Sequence, residues 1–102
     1  MKYLVLGANS FYGSNFVKLL SEKGEHVVGS TERLSSITGE FGDVVVNFAA
    51  RSLVVESWQA PKEWLQTNVM DTCKLFETMR KDPPQLYLHV STPEVYGSST
   101  NW

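Results

Sequence analysis

Cysteine is nearly absent from the 102-residue sequence: Cys73 stands alone. An internal disulfide is therefore impossible, a thiolate cluster for a metal is excluded, and a reducing cytoplasm is the expected setting. An excess of either charge is also lacking. Nine Lys and Arg against eleven Asp and Glu leave a formal net charge of −2. That balance offers no footprint for a nucleic-acid backbone and no basic run for an anionic membrane, so neither partner is expected. No apolar stretch is long enough to span a bilayer. The opening Met1 to Leu6 is not the start of a signal peptide, because its apolar run stops at Gly7 and polar Asn9 and Ser10 follow. Repeats and low-complexity segments are missing too. What remains, 42% hydrophobic and 20% charged residues, is the composition of a single globular domain over residues 1–102.

Along the chain the pattern alternates. Lys2 to Leu6 is a short apolar run that reads as a buried parallel strand. From Phe11 the period changes: Tyr12, Phe16, Leu19 and Leu20 share one helical face, and Gly24 is placed to cap the end. His26 to Gly29 is a second strand. Thr31 to Gly42 is polar and weakly periodic, a loop with at most a stub of structure around Ile37. Asp43 to Phe48 is the clearest strand. After an irregular segment, Pro61 to Arg80 predicts one long helix, with Leu65, Val69, Cys73 and Phe76 as its apolar stripe beside Trp64, Leu75 and Met79. Trp58 and Trp64 are expected to pack that helix and Cys73 to be a small core residue. Asp82-Pro83-Pro84 ends it, and Leu86 to Val90 is the last strand. The order predicts an α/β fold: a truncated Rossmann-like, mostly parallel sheet of about four strands with helices on both faces.

The turn Gly7-Ala8-Asn9-Ser10-Phe11-Tyr12-Gly13 lies between a strand and a helix. Glycine at the first position permits a sharp exit from the strand, and Gly13 lets the helix approach the sheet. The free N–H groups at the helix start then face a diphosphate. Ser10 stands where a third glycine is common; its side chain crowds a phosphate, or its hydroxyl donates to one. A turn glycine plus a helix-packing glycine is the plainer alternative. With no Gly-Lys-Ser/Thr, a triphosphate loop is disfavoured. Past the second strand, Gly29-Ser30-Thr31-Glu32-Arg33 has no acidic residue at the usual place for the ribose 2′-hydroxyl. Arg33 suits a 2′-phosphate and favours NADP over NAD, while Glu32 argues for NAD and an exposed loop charge is the other reading of Arg33. His26 and His89, with no partner at catalytic spacing, read as structural.

Four segments occur in order: Gly7 to Gly13; Val44-Val45-Val46-Asn47-Phe48-Ala49-Ala50-Arg51-Ser52; Glu56-Ser57-Trp58 with Pro61 and Thr67-Asn68-Val69; and Val90-Ser91-Thr92-Pro93-Glu94-Val95-Tyr96-Gly97. Together the set resembles the extended short-chain dehydrogenase/reductase family, most closely its NAD(P)-dependent sugar-nucleotide 4,6-dehydratases and epimerases. The resemblance implies a cofactor site of Gly7, Ser10, Phe11, Tyr12, Gly13, Arg33, Ala49, Ala50, Asn68 and Ser91, with Ala49 and Ala50 running along the cofactor and Asn68 bracing the site. It implies Thr92 as the hydroxyl bonded to the sugar O4 and Glu94 as the acid/base at the hexose ring. Pro93 occupies the place of the acid found in glucose-type dehydratases and cannot donate a proton, as in the mannose-type branch. Without the resemblance, Thr92-Pro93-Glu94 is a turn after a strand.

Two features of the family are missing. No tyrosine is followed four residues later by lysine, so the catalytic Tyr-x-x-x-Lys is not in this sequence. A strand and helix usual between the second strand and the Asp43 strand are replaced by Glu32 to Gly42, which in family numbering predicts strand order 2-1-4-5 with two open edges. The expectation is a cofactor-binding part without a substrate domain, inactive alone. Sugar nucleotide is expected only if another part completes the site. The long helix contributes to a dimer interface in the family, so a homodimer is expected. The alternative is a non-catalytic dinucleotide-binding remnant or an assembly module acting through self-association.

Overall fold

The computed structural model describes residues 1–52 and 54–98, without the side chains of Val54 and Glu94. Trp102, which the sequence leaves to a partner, lies outside the described residues. Four strands, β1 (Lys2–Leu6), β2 (His26–Ser30), β3 (Val44–Asn47) and β4 (Leu86–His89), form one sheet in the order β2-β1-β3-β4. All its pairings are parallel, with Leu4 opposite Val28 and Val45, and Asn47 opposite His89. The strands expected as 4 and 5 are thus third and fourth in the chain, because none forms between β2 and Val44. The outer edges of β2 and β4 are unpaired among the described residues.

Helix α1 (Phe11–Glu22) packs on β1 and β2 over one sheet face. Its inward side is Gly13, Phe16, Val17 and Leu20, whereas Tyr12 and Leu19 of the predicted face are exposed. The opposite sheet face carries the core of Leu6, Val45, Leu34, Ile37, Phe41, Leu75 and Met79. Three of those residues, Leu34, Ile37 and Phe41, come from the segment read as loop. Its one turn of 3-10 helix, Leu34–Ser36, turns these side chains into the core that a strand and helix would otherwise supply.

The predicted long helix is three pieces in line: α3 (Pro61–Leu65), a π-helical stretch Gln66–Asp71, and α4 (Thr72–Lys81). A short helix α2 (Val54–Gln59) precedes them where irregular chain was expected. The wide π turn rotates the faces on either side of it relative to each other. Consequently the stripe Leu65, Val69, Cys73 and Phe76 is exposed, and Asp71, Thr72, Leu75 and Met79 are buried instead. Cys73 is a free, exposed thiol rather than a core residue. Trp58, expected to pack the helix, is 84% exposed. No helix among the described residues is long and apolar enough to cross a membrane.

Candidate functional site

At the C-terminal end of β1 the chain turns through Gly7, whose φ of +74° lies in the left-handed region. The amides of Gly7 and Ala8 both donate to the Ser30 carbonyl, at 3.0 and 3.1 Å, which ties the turn to the end of β2. Ser10 then caps α1: its Oγ accepts from the Gly13 amide at 3.1 Å and donates to the Gly7 carbonyl at 2.7 Å. The hydroxyl that the sequence offered to a phosphate is therefore committed inside the turn. A β-carbon on Gly13 would collide with the Gly7 carbonyl oxygen. The amides of Phe11 and Tyr12 have no acceptor in the protein among the described residues. Two unpaired N–H groups at the positive end of a twelve-residue helix make a cradle for an anion. The side chains of Phe11 and Tyr12 point away into solvent, 75% and 71% exposed.

Beyond the turn a cleft of about 650 Å³ runs over the ends of β1, β2 and β3, with Gly7, Ser10, Arg33, Ala49 and Ala50 on its walls. Its charged lining residues, Glu32, Arg33, Arg51, Lys62, Glu63 and Asp71, cancel in sign. Most are paired. Arg33 Nη2 lies 3.3 Å from Asp71 Oδ2 and Gln66 Nε2 donates to Asp71 Oδ1 at 2.7 Å, so a carboxylate only 4% exposed is bonded on both oxygens. Arg51 lies 3.4 Å from Glu63 and 5.2 Å over the Trp64 ring. Asp71 was missed in the sequence: at regular helical spacing it falls opposite the predicted apolar stripe, and only the π stretch turns it inward.

A second cavity of about 370 Å³ shares Ala49, Ala50 and Arg51 with the first and adds Asn68, His89, Ser91 and Thr92. Asn68 clamps the shared wall, accepting from the Arg51 amide and donating to its carbonyl, both at 2.9 Å. Behind that wall Asn47, 1% exposed, accepts the Ala49 amide at 2.8 Å and donates to Tyr87 Oη at 3.1 Å. Burial holds the Tyr87 phenol above its usual range, the Asn47 bond opposing this in part. A polar residue ending a Val-Val-Val run was the signal for Asn47. Thr92 reaches the cavity just before a 3-10 turn, Pro93–Tyr96; the Glu94 side chain lies outside the described residues. The structure thus groups Gly7, Ser10, Arg33, Ala49, Ala50, Asn68, Ser91 and Thr92 along two joined cavities, while Phe11, Tyr12 and Gly13 line neither. Among the described residues no three His, Cys, Asp or Glu side chains cluster as metal ligands.

The model of the GDP-mannose 4,6 dehydratase family matches residues 36–101. The chain belongs to this family. It is accordingly an extended short-chain dehydrogenase/reductase of the sugar-nucleotide dehydratase and epimerase group, as its four motifs implied. The UDP-glucose 4-epimerase of Halalkalibacterium halodurans is 31% identical over 121 positions, covering 95% of this chain and 36% of the epimerase. That alignment is longer than the 102-residue chain, so the epimerase carries residues here that this family member lacks. The fold matches MoeE5, solved with UDP-glucose and NAD, at a TM-score of 0.85 and 24% identity over 98% of this chain and 39% of MoeE5. It also matches RMD from Pseudomonas aeruginosa, solved with NADPH, at 0.79 and 20% over 98% and 38%. The chain spans well under half the length of these relatives.

Proposed function

We propose that the chain is the dinucleotide-binding part of an NAD(P)-dependent sugar-nucleotide 4,6-dehydratase or epimerase. The observation that carries this is the unpaired Phe11 and Tyr12 amide pair in the turn whose Gly7, Asn9 and Ser10 line the first cavity, which joins the second along Ala49–Arg51. The family match and the NAD and NADPH held by MoeE5 and RMD support it. The cradle fits a pyrophosphate: both glycines keep backbone where a β-carbon would intrude, and the amides need an acceptor. The adenosine half then lies in the cleft toward β2, with Arg33 beside its ribose. A guanidinium there favours NADP, since Asp71 takes only part of its donor fork. The nicotinamide half lies toward β3 and β4.

The bound nicotinamide supplies reversible hydride transfer at the sugar. Thr92 bonds the sugar O4. Once C4 is a ketone its neighbouring C5 proton becomes removable, and Glu94 takes it as water is lost across C5 and C6. Pro93 offers no proton, so the acid for the leaving hydroxyl comes from elsewhere, as in the mannose-type branch. Residues 1–102 hold no Tyr-x-x-x-Lys, so by themselves they bind cofactor without turnover, and a sugar nucleotide engages only where a substrate domain completes the site. It works in the cytoplasm. A homodimer forms through the exposed face of Leu65, Val69, Met70 and Phe76.

Fluorescence titration of the purified chain with NADPH and NADH tests the reading. Saturable binding of both, tighter for NADPH, is expected; no saturable signal with either up to millimolar ligand overturns it. Should dimerisation persist without cofactor binding, and be lost in Val69→Asp, the chain is instead an assembly module. That second reading is favoured only by the exposed apolar helix face.

A further inference from the structure

Asn47 and His89 stand opposite each other on β3 and β4, and Tyr87 reaches between them. The Phe76 and Tyr87 ring centroids lie 5.2 Å apart with the planes nearly perpendicular, a contact that holds the phenol in place. Three hydrogen bonds run in line: Ala49 amide to Asn47 Oδ1 at 2.8 Å, Asn47 Nδ2 to Tyr87 Oη at 3.1 Å, and Tyr87 Oη to His89 Nδ1 at 2.9 Å. The direction of the chain is fixed at its first member. A backbone amide can only donate, so the Asn47 oxygen must face Ala49 and the NH₂ group must face Tyr87. The Tyr87 oxygen accepts that bond, and the one acceptor within reach of its own hydrogen among the described residues is His89 Nδ1. A neutral imidazole that accepts at Nδ1 carries its proton on Nε2. Nε2 has no protein partner among the described residues, and His89 is part of the second cavity's wall with Ala49, Ser91 and Thr92.

We infer that His89 is a hydrogen-bond donor built into the second cavity, set as the Nε2–H tautomer by the one-way chain from Ala49, and that it takes an acceptor oxygen of the bound ligand. The oxygen is that of a nicotinamide carboxamide. The ligand half of this inference rests on the dinucleotide reading above; the tautomer half does not. His89 is thereby coupled to the backbone of the wall both cavities share, so a ligand gripped at Nε2 also steadies Ala49.

The test is long-range imidazole 15N spectroscopy of the full chain at a pH well above the ordinary histidine range, with His26→Gln to assign the two rings. His89 is expected to show the Nε2–H pattern. Tyr87→Phe, which keeps the ring and its packing, is expected to return His89 to the mixed pattern of a free imidazole and to shift the Ala49 amide. An Nδ1–H pattern, or a mixture already present in the unaltered chain, overturns the inference. NADH and ADP-ribose are then added to saturation. A His89 Nε2–H shift with NADH but not ADP-ribose identifies the carboxamide. Saturable binding that leaves Nε2–H unmoved removes the donor role. If no probe binds, the function proposed above fails and the donor role with it, while the tautomer result stands or falls on the first spectra.

Discussion

Gly7 lies so close to Ala49 that a β-carbon on it would sit 2.7 Å from the Ala49 amide nitrogen and 2.9 Å from its α-carbon. Backbone cannot swing aside as a long side chain can, and Gly7 is also left-handed at φ +74°. Gly7→Ala is therefore expected to cost more than the roughly 1–2 kcal/mol of a left-handed alanine alone, read as a lower urea midpoint. NADH binding should fall with it, because the turn and the Ala49 wall move together.

Ser10 has a different weight. Its hydroxyl caps α1 and is not free for a ligand. Ser10→Ala should lose about 1 kcal/mol of stability and Ser10→Gly only a few tenths. Cofactor affinity should change little in Ser10→Gly; a large loss there would place the hydroxyl on the phosphate after all.

Arg33 and Asp71 are an unequal pair, the first 68% exposed and the second 4%. Removing the arginine leaves a buried carboxylate with Gln66 as its one remaining partner. Arg33→Ala should then cost about 1–2 kcal/mol, more than an exposed pair and less than a fully buried one. Adding Asp71→Asn should restore part of the loss, and a double-mutant cycle by chemical denaturation measures the coupling.

Tyr87 makes stability depend on pH at the alkaline end. Its phenol is raised above 10.0 by burial, so the folded chain keeps that proton longer than the unfolded chain does. The contribution is complete below the unfolded value and is lost as pH rises through the folded one. Unfolding free energy should decline above about pH 10, and Tyr87→Phe should flatten that decline in pH-stepped urea melts.

Strands and the glycine turn were legible because their signals are local: a five-residue apolar run, a glycine where the chain must bend, a serine at a helix start. The resemblance grouped Ala49, Asn68 and Thr92, and the three line one cavity in the structure. What escaped was set by contacts far apart in the chain. Val69 and Cys73 recur at helical spacing, yet the π turn at Gln66–Asp71 and the bond from Arg33 roll Asp71 inward and leave them in solvent. Likewise Leu34, Ile37 and Phe41 are too sparse to read as an element. Their burial follows only once the sheet face they cover exists.

That short segment after β2 has two duties at once. Leu34 is a plug in the core, and the residue before it, Arg33, is a wall of the cleft. A displacement that widened the cleft beside Arg33 would uncork the sheet, and a ligand that held Arg33 would press the plug home. Occupancy of the cleft and resistance to unfolding would in this way be adjusted by one lever.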